Sequence, residues 1–113
     1  MKRRNTDHIT INNNLIVIGN GPNAGKGEIK FCDMTMELAK LFINYADIAM
    51  KEYKGFLDIA DQILKKFYGK YKDEQNWHCI VGEDGKYNIA GPVDESCCLV
   101  FVLNGIKFNI FRH

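Results

Sequence analysis

Hydrophobic positions in this chain follow one period in its middle and another at its end. From Thr35 onward, apolar residues recur at Leu38, Leu41, Phe42, Tyr45, Ala49 and Tyr53, the three-and-four spacing of a single helical face. Thr35 can cap the first turn and Glu37 lies where the helix dipole favours an acid, so the pattern predicts a helix from Thr35 to about Gly55. A second stripe follows at Ile59, Ala60, Ile63, Leu64, Phe67 and Tyr71, with Asp58 and Asp61 early and Lys65, Lys66 and Lys70 late. It predicts a second amphipathic helix ending near Tyr71. The period then drops to two, and strands are predicted at Trp77–Val81, Lys86–Ala90, Cys98–Leu103 and Ile106–Phe111.

Asn104-Gly105 sets the register of the last two strands, because a two-residue type I′ turn needs positive φ at both positions. Pairing Leu103 with Ile106, Phe101 with Phe108 and Leu99 with Ile110 gathers all six side chains on one face, which the two helices can cover. The fold class is therefore α+β, two helices packed on an antiparallel β-sheet. The opposite face carries Cys98, Val100 and Val102 beside Lys107, Asn109 and Phe111. No further helix exists to cover it, so a second copy or a ligand strand is the economical cover.

Residues 1–27 are rich in Asn and Gly and contain Pro22 within a glycine cluster. They are expected to form a flexible N-terminal extension, with the folded domain spanning 28–113. Within the extension, Ile9–Ile18 favours β structure but is broken by Asn12-Asn13-Asn14. An alternative role for this patch is to lie in a groove of its own protein.

Composition narrows the function classes. At 113 residues and 46% hydrophobic content the chain makes one domain with a core that needs no disulfide. A formal charge of +1, from 15 interleaved bases and 14 acids, gives no footprint for nucleic acid or an anionic membrane. The apolar run Leu15-Ile16-Val17-Ile18 is shorter than a signal-peptide core, and no C-x-x-C pair occurs among Cys32, Cys79, Cys97 and Cys98. Reduced thiols and a cytosolic setting follow as expectations.

Two strings invite catalytic readings. Gly19-Asn20-Gly21-Pro22-Asn23-Ala24 after a strand-like run looks like a dinucleotide loop, but the segment behind it, Glu28-Ile29-Lys30-Phe31, is β-like where a helix N-terminus is required. His78 and Cys79 are neighbours in a strand and so point to opposite faces, which denies them a shared metal or a nucleophile–base pairing. No cofactor or metal is expected. A small nucleotide-binding enzyme remains the alternative of a different class.

The run Trp77-His78-Cys79-Ile80-Val81-Gly82, together with Ile29-Lys30, Asp33-Met34, Asp58-Ile59-Ala60, Lys65-Lys66-Phe67 and Lys70-Tyr71, resembles the dynein light chain family in both order and spacing. The resemblance implies a non-enzymatic homodimer in which an edge strand is exchanged, leaving grooves where extended motifs add as a further strand. By position, Lys86, Tyr87, Asn88, Ile89 and Ala90 would line the target groove with Cys98, Val100, Val102, Phe56 and Leu57. Trp77, His78, Gly85 and Tyr87 would lie at the dimer interface. Partners would be a second copy, a dynein intermediate chain or other proteins with linear motifs, in a cytoplasmic, cytoskeleton-associated setting that extends to cilia or flagella. A specialised axonemal subunit with one fixed partner is the alternative within the same fold. The chain also departs from the family: Phe56-Leu57 replaces a Glu-Lys pair that holds a target glutamine, and Ile89 replaces a groove threonine. Glutamine-containing motifs should bind it weakly, since an amide buried without partners costs about 1 to 3 kcal/mol.

Overall fold

The computed structural model describes residues 6–86 and 97–113. Its elements run β1 (Ile9–Asn12), β2 (Leu15–Ile18), β3 (Gly25–Asp33), α1 (Met36–Glu52), α2 (Phe56–Lys70), β4 (Trp77–Glu83), β5 (Cys97–Leu103) and β6 (Ile106–Arg112). The strands form one antiparallel sheet in the order β1-β2-β3-β5-β6-β4.

Both helices start where the local chemistry allows. The Thr35 side chain accepts the Leu38 N–H at 3.2 Å, and α1 carries Glu37 in its first turn and Lys51 in its last. Gly55 precedes α2, which again begins acidic with Asp58 and ends basic with Lys70. Their apolar stripes meet the sheet in one core, where Phe42, Phe67 and Trp77 rings lie 4.8 to 5.2 Å apart between centroids.

The β5–β6 hairpin has the register expected from its turn: Leu103 faces Ile106, Phe101 faces Phe108 and Leu99 faces Ile110. Asn104 and Gly105 sit at φ of 51° and 79°, and the Phe101 and Phe108 rings stack at 4.8 Å. Between β3 and β5 the backbones approach so closely at Gly27 that a Cβ there would overlap the Val102 carbonyl oxygen.

The N-terminal region departs from expectation. Residues 9–18, assigned from sequence to a flexible extension, form a hairpin that adds two strands to the sheet beyond β3. Ile9, Ile16 and Ile18 belong to the main core. Alternation puts them on the helix side with Ile11, and Asn13 and Asn14 make the tight turn at φ of 50° and 69°. Asparagine tolerates the left-handed region, so this interruption of the β pattern is its turn. The hairpin pairs with β3, and β3, β5 and β6 separate it from β4 in the sheet order, so the patch lies in its own sheet.

Candidate functional site: the β4 edge and the outer face of the sheet

Strand β4 pairs with β6 along its whole length, from Trp77 opposite Arg112 to Glu83 opposite Ile106, and it ends the sheet order. His113 N–H donates to Asn76 O and Asp84 N–H donates to Gly105 O. Because antiparallel partners alternate, the β4 amides at even positions point to β6 and those of Cys79 and Val81 point away from it. Among the described residues, no strand receives them.

The two faces of β4 differ in kind. Trp77, Cys79 and Val81 face the helices. Trp77 donates its backbone N–H to the Tyr68 hydroxyl and its Nε1–H to Glu74 Oε1, each at 3.0 Å, and Arg112 lies over its ring. The Trp77 side chain is thus committed to the protomer's own aromatic core. Burial pushes the Cys79 thiol up to about 12, so it packs as a neutral group and is no nucleophile.

His78 and Ile80 face the other way. The His78 ring stacks on Phe111 at 5.2 Å and on His113 at 4.5 Å. Its Nε2 is buried without a hydrogen-bond partner among the described residues. Across the sheet this outer face reads Asp33, Cys98, Phe111 and His78 in one row, and Phe31, Val100, Asn109 and Ile80 in the next. The ends of the second row are open, with Phe31 52% and Ile80 46% exposed.

The expected groove floor is only partly free. Cys98 and Val100 are buried in the protomer, and the Cys98 thiol donates to Asn109 Oδ1 at 3.7 Å, while Val102 is half-buried. The reason is position: β5 lies between β3 and β6, so its outward side chains are flanked on both sides, and the accessible apolar groups shift to Phe31 and Ile80. Phe56 and Leu57 sit exposed at the start of α2, Leu57 at 87%. Gly85 and Lys86 form an exposed turn after β4, with Gly85 at φ 84° and Lys86 N–H bonded to Glu83 O. Tyr87, Asn88, Ile89 and Ala90 lie outside the described residues.

Sequence reasoning missed Phe31, His113 and the hairpin. Phe31 follows a register shift in β3 after Ile29 that turns it outward, which no periodicity announces. The hairpin was signalled by Asn13-Asn14 between two alternating runs. Among the described residues, no group of three or more metal-ligating side chains is assembled, and no helix is long and apolar enough to cross a membrane.

The geometry defines a small α+β domain in which, among the described residues, one long sheet edge is unpaired beside an apolar outer face. A family model described as dynein light chain type 1 matches residues 26–113, and the chain belongs to the dynein light chain family. No match was found among curated proteins. Membership makes the chain a dynein-associated subunit of a family that is structural and adaptor in kind and generally non-enzymatic.

Proposed function

We propose that the chain is a homodimerisation hub that receives extended segments of partner proteins by β-strand addition. The observation that carries this reading is the β4 edge, where among the described residues no strand meets the outward amides of Cys79 and Val81 and no partner meets the buried His78 Nε2. Backbone donors on an edge bind an added strand through main-chain hydrogen bonds, and the flanking pockets read alternate side chains. In this reading the segment from Gly85 through Lys86, Tyr87, Asn88, Ile89 and Ala90 is exchanged onto the partner's β4, with His78, Gly85 and Tyr87 at the contact. The target then lies along the exchanged strand, next to Val102 and the α2 start at Phe56 and Leu57. Two equivalent grooves on one dimer raise the effective concentration of the second when a paired partner binds the first. The partners are a second copy and a dynein intermediate chain or another protein with a linear motif, in a cytoplasmic, cytoskeleton-associated dynein complex.

A second reading, a ciliary or axonemal subunit dedicated to one partner, is favoured by Leu57 standing exposed where the family's polar pair would grip a glutamine. Amide exchange on the full chain tests the hub: Cys79 and Val81 amides should be protected as well as interior β5 amides. Exchange at the rate of an open edge in concentrated protein contradicts strand addition at β4. Calorimetric titration with a glutamine-threonine anchor peptide then separates the two readings. Weak binding at one peptide per protomer fits the hub with altered preference, and no heat fits the dedicated subunit.

A further inference from the structure

The β4 edge is one of two ends that the core sheet β3-β5-β6-β4 presents, and the other is β3. The chain treats them differently. Residues 15–18 of β2 pair with residues 25–28 of β3, and Ile29 N–H donates to Asn14 O at 2.7 Å, so the outward amides of β3 through Ile29 are spent on the hairpin. Gly27 N–H faces the same way by alternation. Ile16 and Ile18 anchor β2 to the core, the Asn13-Asn14 turn folds β1 back over it, and a loop holding Gly19 and Gly21 at positive φ joins β2 to β3. The family match begins at residue 26, so the strand being capped belongs to the shared domain and the cap does not.

We propose that the β3 edge is a second strand-acceptor site, filled in cis by the chain's own β1–β2 hairpin, and that the partner it would otherwise take is the β3 edge of a second copy. The sequence of β3 supports that choice of partner. Antiparallel β3–β3 pairing centred on Ile29 sets Glu28 of each copy opposite Lys30 of the other, a self-complementary two-fold arrangement. Within one copy these same side chains already form an ion pair at 3.5 Å. The hairpin thus closes β3, moves that edge of the sheet to the four-residue β1, and leaves β4 as the long edge with no strand beside it among the described residues. This inference stands apart from strand addition at β4, since it concerns the opposite side of the sheet and has its own readout.

The test uses the full chain carrying Ile16→Asp, which puts a charge where β2 is buried. The expected result is that Gly27 and Ile29 amides exchange at least about 100-fold faster while interior β5 and β6 amides stay protected, and that mass in sedimentation rises with concentration beyond the wild-type species. Should the core amides lose protection as well, Asn13→Val/Asn14→Val detaches the hairpin at its turn without touching the core and gives the same two readouts. A disulfide-locked variant, Val17→Cys/Lys26→Cys, joins a facing pair without mutual backbone bonds and should hold the wild-type mass when oxidised. Freed Gly27 and Ile29 amides with unchanged mass at every concentration would overturn the proposal. So would self-association of the locked form beyond wild type. Neither result bears on whether β4 accepts a strand, which is read at Cys79 and Val81.

Discussion

The two ends of the core sheet solve the same problem with different means. At the β3 end, Ile9, Ile16 and Ile18 bury a hairpin against the edge, which takes up the outward amides of β3 through Ile29. At the β4 end, no strand among the described residues lies beside the outward amides of Cys79 and Val81, and the buried Nε2 of His78 has no hydrogen-bond partner among them. An unpaired edge is a template for association, and proteins normally blunt it. Here one edge is blunted with two added strands and the other carries neither proline nor lysine. The contrast underlies the proposal that association runs through β4 while the hairpin at β3 serves stability.

The contrast breaks most sharply at His78. A permanent charge there, His78→Lys, would be buried in any contact across the outer face, and the affinity of the chain for its own copy should fall at least about 100-fold while its fold persists. Sedimentation together with far-UV circular dichroism reads both, and an unchanged association constant would count against the outer face. At the capped end, Gly27→Ala pushes a methyl against the Val102 carbonyl in the β3–β5 ladder. Urea titration should show a loss of about 2 kcal/mol with little change in self-affinity.

A smaller effect comes from Cys79. Its folded-state value is raised by burial from 9.0 to about 12. Its stabilising contribution is therefore complete below pH 9 and lost as pH rises from there toward 12, about 1 kcal/mol by pH 10. Thermal unfolding from pH 8 to 10 should reveal this slope, and Cys79→Ala should flatten it. The smallest effect on stability is expected at Leu57→Lys on the exposed start of α2, within about 0.5 kcal/mol. With Phe56→Glu beside it, calorimetry should show glutamine-containing peptides binding about ten times more tightly, because the buried amide regains polar partners.

Much of this architecture was legible in the sequence because it rests on local rules. The stripes from Leu38 to Tyr53 and from Ile59 to Tyr71 became α1 and α2, and Asn104-Gly105 gave the β5–β6 register pair for pair. The hairpin was misread because glycine and asparagine density reads as looseness, although Asn13-Asn14 is a turn signal as direct as Asn104-Gly105. The side that Trp77 takes was not readable either: period two says that Trp77 and His78 take opposite faces, but not which face meets the helices. The site was less readable than the fold. Accessibility of Cys98, Val100 and Val102 depends on how many strands flank β5, and the outward turn of Phe31 depends on an irregularity in β3.

Sedimentation equilibrium of the unmodified full chain decides whether a second chain completes the β4 edge and the outer face. The expected result is the mass of two chains at tens of micromolar, with His78→Lys returning it to one. A wild-type chain that stays at the mass of a single copy over that range would contradict it.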